Sequence, residues 1–263
     1  MTDLTDQTIK ALRSEFDELA ALVRGFDEED LARQSGAAEW DVSQVLSHLG
    51  SGAEINLAAL EGAVRGAGAP GMEFIQGVWG RWDAMSRVQR AEGFVGANEA
   101  LVRRFEELDP QTRGDVRVHL WFPTEPVDVA SFGAMRLSEV AHHTWDVKVA
   151  VDPGATLNPE TVGLLVDRVG SVVGFAGKPA GLGGGQATVA VHITSPERSF
   201  GLDIREAVAI VDVPDAPDAV LTAPAEWWLR LVVGRHAPER TPAAVEVTGA
   251  VTLDDLRRVF PGY

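Results

Sequence analysis

The 263-residue sequence contains no cysteine. That absence excludes disulfides, thiolate metal ligands and a cysteine nucleophile. A metal would have to rest on His, Asp and Glu, and any thiol chemistry would use a thiol brought from outside. Long apolar runs are also missing. None approaches the roughly 18 residues that signal a membrane span, so no membrane association is expected. The N-terminal stretch MTDLTDQTIKALRSEFDEL lacks the basic start and apolar core of a signal peptide, which makes the cytoplasm the expected location. Positive charge is scarce: 23 Lys+Arg stand against 39 Asp+Glu, for a net charge of −16. Such a surface disfavours nucleic acid and anionic lipid as partners. Most of the acidic excess lies in residues 1–154, so an anionic substrate would need a local basic group, an arginine. There is no internal repeat and no low-complexity tract.

What is present is ordinary for a soluble globular chain, 45% hydrophobic and 24% charged. The length favours two domains. Leu4, Leu12, Phe16, Leu19, Leu22 and Val23 recur at helical period. EWDVSQVLSHLGSGAEINLAALEGAV reads as a second helix, with Asp41 as N-cap and Gln44 as its capping-box partner. GAGAPG at 66–71 ends it. A third helical region runs from about Met72 to Leu108 with a break near Gly93. Residues 109–130 hold prolines and short extended pieces. A fourth helix spans about Phe132 to Val151.

VDPGATLNPE at 151–160 reads as a linker. Asn158 then caps a helix running to about Phe175. QATVAVHIT, SFGLDI and EAVAIVDV alternate as strands do. APAEWWLRLVVG reads as a helix, AAVEVTG as a strand and TLDDLRRVF as a terminal helix. The expectation is an all-α domain over 1–154 and an α+β domain over 155–263.

The fourth helix carries the chemistry. In SEVAHHTWDVKVA, residues 138–150, Glu139 and His143 are i,i+4 neighbours and can converge on one ion. Asp146 lies on the same side. The rest of the helix is apolar nearly all round, as a buried helix is. A buried carboxylate and imidazole need partners. A metal satisfies both, and a solvated polar face is the competing reading. His142 points about 100° away from His143 and is separated from that pair. His48, at the edge of the second helix's apolar stripe, is either a packed core histidine or the third ligand. With Glu139 and His143 it makes two imidazoles and one carboxylate, a set that suits Zn²⁺ with a position left open. Ligand type also allows Fe²⁺ or Ni²⁺. His119, His192 and His236 lack a helical partner at ligand spacing.

EWDVSQVLSHLG resembles the start of the second helix of DinB-like metal-binding bundles. SEVAHHTWDV resembles the fourth-helix motif of the mycothiol-dependent maleylpyruvate isomerase family, where His is followed by Glu-x-x-x-His with Asp three residues on. The resemblance implies His48, Glu139 and His143 as metal ligands. It also implies a DinB-like four-helix bundle followed by a sterol-carrier-like α+β domain, over most of the chain. AEWWLRLVVGRHAPE resembles that family's apolar C-terminal-domain helix ending in Gly-Arg. By that likeness Arg235 binds an anionic substrate or the thiol, with Arg230 as the alternative.

The expected function is a metal- and mycothiol-dependent isomerase or thiol transferase, acting on a small electrophilic substrate. Asp146 orients a ligand or cofactor group from behind, Trp145 and Trp40 wall the site, and His142 is a minor candidate base. An actinobacterial host fits the family and the arginine-rich composition, with Lys178 the single lysine in 155–263. The chain is expected to act as a monomer or small homo-oligomer. A metal-dependent hydrolase or lyase on the same bundle, and a non-catalytic binder of an apolar molecule, remain the alternatives.

Overall fold

A computed structural model describes residues 4–122 and 125–262 of the chain. Residues 1–3 of the N-terminal stretch, and Pro123 and Thr124 of the proline-containing 109–130 segment, lie outside them. The chain forms two compact units that divide between Ala155 and Thr156.

The first unit is helical. Helix α1 spans Leu4–Val23, α2 Glu28–Leu31, α3 Val42–Val64, α4 Met72–Asp83, α5 Arg87–Glu107, α6 Pro110–Asp115 and α7 Val129–Lys148. A short antiparallel pair, β1 (Arg117–Val118) and β2 (Val127–Asp128), precedes α7. The four long helices α1, α3, α5 and α7 close a ring in which α3 and α1 each pack against both α5 and α7. Leu12, Leu46, Phe94 and Leu137, one from each, are buried in its core.

Local chemistry sets where the helices begin. Asp41 Oδ1 accepts the Gln44 N–H at 2.8 Å, and Gln44 Oε1 accepts the Asp41 N–H at 2.9 Å, the reciprocal capping box that starts α3. Its end is fixed by Gly66, whose φ of 72° only glycine adopts freely. The third helical region departs from expectation. It breaks at 84–86, where Ser86 and Gln89 form a second capping box, and α5 runs through Gly93 unbroken. Gly93 is there for packing: a Cβ at that position would meet the buried Trp82 ring at 3.0 Å. Helix α7 starts earlier than Phe132, because the Asp128 carboxylate accepts the Ser131 N–H at 2.6 Å.

The second unit is α+β. Asn158 caps α8 (Pro159–Leu165) through the Glu160 N–H. The helix expected to reach Phe175 is instead α8, a 3-10 turn at Val166–Arg168 and α9 (Gly170–Ala176). Gly163, Gly170, Gly174 and five valines make residues 159–175 a poor continuous helix former. Five strands follow: β3 (Ala187–Thr194), β4 (Glu197–Ile204), β5 (Val208–Val211), β6 (Ala219–Ala223) and β7 (Glu246–Gly249). Their order is β5-β4-β3-β6-β7, with only β3 and β6 parallel. Helix α10 (Ala225–Val232) packs against β3, and α11 (Leu253–Val259) closes the unit. Strand β6 was absent from the sequence pattern.

Candidate metal centre

Three side chains from two helices of the bundle meet at one point. His48 is on α3; Glu139 and His143 are one turn apart on α7. One ligand atom of each lies within 4.8 Å of the others. Glu139 Oε2 sits between the two imidazoles, 3.1 Å from His48 Nε2 and 3.7 Å from His143 Nε2. Donors about 2.0–2.1 Å from a tetrahedral ion lie about 3.3 Å apart, so these spacings bracket what such an ion requires. The donor set, two imidazoles and a carboxylate, is one that zinc accepts. The chain has no cysteine to compete.

His143 is held from behind. Its Nδ1 lies 2.8 Å from Asp146 Oδ2, and Asp146 is fully buried. A carboxylate there keeps the proton on Nδ1 and leaves Nε2 with its lone pair toward Glu139, the arrangement that orients metal-bound histidines. Asp146 is itself packed. The Gly36 N–H donates to the Asp146 carbonyl at 2.8 Å, and a Cβ on Gly36 would meet Asp146 Oδ1 and the Trp145 ring, both at 2.7 Å. Only glycine lets the 33–41 loop approach α7 so closely. That loop delivers Trp40, whose ring stacks on His143 at 5.9 Å and lies 5.2 Å from His48.

The site is enclosed on one side and open on the other. His143 has 9% side-chain exposure, whereas His48 and Glu139 have 40% and 41%. Burial alone would raise the Glu139 carboxyl. The His48 hydrogen bond and the charges of His143, His48 and Arg136 outweigh it and hold the group well below the usual carboxylate range.

Arg136, one turn before Glu139, escaped the sequence reading. It is 3% exposed, and its Nη2 donates to the Leu49 carbonyl at 2.7 Å and to Asn98 Oδ1 at 2.6 Å. It therefore ties α7 to α3, one residue past His48, and to α5. Burial pulls its guanidinium down to about 10, with the Glu139 charge acting in the opposite sense. The signal in the sequence was an arginine inside an otherwise apolar stretch of a buried helix.

The other singled-out residues fall elsewhere. His142 Nδ1 bonds the Ser138 carbonyl one turn back at 2.8 Å, away from the three ligand atoms. Trp145 is 2% exposed, and its indole N–H donates to the Ala155 carbonyl at 2.8 Å, which pins the chain leaving α7. Trp40 is the ring against both imidazoles. In the second unit, Arg230 is buried and pairs bidentately with Glu226 at 2.8 and 3.0 Å. Arg235 follows Gly234, whose φ is 82°, and is half-buried with Nη1 donating to the Val233 carbonyl.

Residues 12–148, just over half of the chain, match the family model described as the mycothiol maleylpyruvate isomerase N-terminal domain. The chain is also similar to a crystal structure of the mycothiol-dependent maleylpyruvate isomerase, with a TM-score of 0.68 and 15% identity over 96% of this chain and 98% of that one. A histidine-to-alanine mutant of the mycothiol-dependent maleylpyruvate isomerase gives 0.68 at 13% identity, with the same coverage. At such identities the likeness carries the fold, a helical bundle followed by an α+β region. No curated protein matches the sequence.

Proposed function

From the premise that the chain belongs to the mycothiol maleylpyruvate isomerase N-terminal domain family, we propose a metal-dependent enzyme that uses mycothiol as cofactor or co-substrate. The substrate is a small electrophilic anion, and the reaction is isomerisation or thiol transfer. His48, Glu139 and His143 hold a divalent ion, and Zn²⁺ suits the set best. The observation that carries this reading is their convergence from two helices, with Asp146 fixing the ring of His143 from behind.

A bound divalent ion would lower the pKa of a coordinated thiol and so supply a thiolate at neutral pH. The chain's own residues prepare that site. Glu139 brings the negative charge and stays ionised beside His48 and Arg136. Asp146 keeps the proton of His143 on Nδ1. Trp40 covers both imidazoles on one face and keeps water from it. Arg235 is the residue assigned to the anionic group of the substrate, on the likeness of AEWWLRLVVGRHAPE to the family's C-terminal-domain helix.

Metal analysis of the purified protein tests the ligand set. We expect about one divalent ion per chain in the native protein and near-complete loss in His48→Ala and Glu139→Ala. Full occupancy in both variants would defeat the assignment. Millimolar mycothiol should raise the melting temperature of the metal-loaded protein, because a ligand that binds only the native state stabilises it. An unchanged melting temperature counts against the thiol.

A further inference from the structure

The two helices that carry the triad touch each other little. Helix α3 packs mainly on α5, and α7 mainly on α1. His48 nevertheless has to meet Glu139 and His143 across the gap between them. Side chains that share one ion must hold their places to within about 0.5 Å, whereas a slip of one residue along a helix moves its side chains by about 1.5 Å. Apolar packing is non-directional and does not by itself fix such a register.

One polar cluster spans the gap. The Leu49 carbonyl on α3 accepts from Arg136 Nη2 at 2.7 Å and from Asn98 Nδ2 at 3.4 Å. Asn98 Oδ1 accepts from the same Nη2 at 2.6 Å, which closes a triangle over α3, α5 and α7. Asn98 is in turn set on α5, where its Nδ2 donates to the Phe94 carbonyl at 3.0 Å. All three corners are buried. The triangle adjoins the triad on both of its helices: Leu49 follows His48, and Arg136 lies one turn before Glu139. Gly52, one turn beyond His48, makes room for it, since a Cβ there would stand 3.2 Å from Arg136 Nη1.

A guanidinium is a poor choice if its task is only to join helices. Arg136 forms no ion pair among the described residues, and its buried Nε–H has no hydrogen-bond partner among them. A buried charge without such a partner costs stability, and an apolar side chain of similar size often holds a core as well or better. What an apolar side chain lacks is direction. A hydrogen bond to one fixed carbonyl sets where α7 stands along α3.

We propose that Arg136 is a positioning residue for the metal centre: its bonds to the Leu49 carbonyl and Asn98 hold α7 in the register at which Glu139 and His143 meet His48. The inference rests on the reading above that these three residues hold a divalent ion. It assigns the guanidinium to the geometry of the site and not to the stability of the fold.

The test uses the full-length protein, with Zn²⁺ and Co²⁺ as probes. The double variant Arg136→Met/Asn98→Leu removes both side chains of the triangle together, so neither is left as an unpaired buried polar group. Without metal it should unfold at the native denaturant concentration or above it. Its Zn²⁺ affinity, measured by competition with a chromophoric chelator, should fall about tenfold. The visible absorption bands of bound Co²⁺, which report coordination geometry, should shift. Arg136→Lys keeps a donor for the Leu49 carbonyl and should recover most of the affinity and the native Co²⁺ spectrum. Native or higher affinity in the double variant overturns the proposal and leaves the ligand assignment standing. So does a double variant that is unfolded without metal, or an Arg136→Lys protein that binds as weakly as the double variant, because the guanidinium would then serve packing alone. Native protein that binds neither ion overturns the ligand assignment, and the proposal with it.

Discussion

Asp146 would bear on a bound metal through its hydrogen bond to His143, and a change of one atom isolates that role. In Asp146→Asn the side chain keeps its shape, but it can present its NH₂ to His143 Nδ1. That favours the tautomer whose proton sits on Nε2, where the lone pair is needed. Metal affinity should fall by about 10–100-fold, the usual cost of losing a partner behind a metal-bound histidine. Competition with a chromophoric chelator measures it, and an unchanged affinity would show that Asp146 only fills space. The residues of this site were unevenly legible. Glu139 and His143 show as a pair because i,i+4 spacing on a helix is a distance. His48 shows only as a polar residue on an apolar stripe, since nothing in one sequence says which helices are neighbours. Arg136 went unread, since its partners, the Leu49 carbonyl and Asn98, lie on other helices. Trp40 and Trp145 look equivalent in sequence, and the fold gives one to the imidazoles and the other to the Ala155 carbonyl.

The helices of the bundle are spaced by what their glycines admit. The buried Trp82 ring of α4 lies against Gly50 of α3 and Gly93 of α5, and a Cβ on Gly50 would overlap it. Gly50→Ala should therefore destabilise the protein by about 1–3 kcal/mol through overpacking. Chemical denaturation would show it, and a shift below about 0.5 kcal/mol would mean that α4 moves aside at little cost. The same contact explains a misplaced boundary. Gly93 has the composition of a helix breaker, but the bundle spends it on close packing, and the true break comes where Ser86 offers a cap. Caps are local chemistry, so Asp41–Gln44 and Asn158 were readable. Strand β6 was not. AVLTA is five residues long, lies close to proline on both sides, and is stabilised by parallel pairing with β3, a non-local contact.

At the scale of the molecule, two units with separate cores share one acidic chain, and the second contains a group that couples folding to pH. His236 accepts burial as a neutral ring, with Nε2–H donating to the Phe260 carbonyl at 2.7 Å. Burial lowers its pKa from 6.5, and although that hydrogen bond opposes the shift, the charges of Arg257 and Arg230 add to it. The unfolded chain then binds a proton that the folded one refuses. The stabilisation is present above about pH 6.5 and is lost as pH falls below it, toward the depressed native value. Denaturation midpoints at about pH 7.5 and about pH 5.5 should differ in that sense, with a smaller difference in His236→Gln. An equal difference in both proteins would assign the effect to other groups.

The 33–41 loop, pressed onto α7 at Gly36, has an optical consequence. Trp40 is one of seven tryptophans, and its indole is held within 6 Å of both imidazoles of the triad. Charge placed on those rings, by a proton or a metal ion, alters the light emitted by this indole. The fluorescence difference between the native protein and Trp40→Phe should follow occupancy of the site without any added label. Its dependence on added metal should vanish when both proteins also carry His48→Ala. The clamp that shapes the centre thus also serves as its indicator.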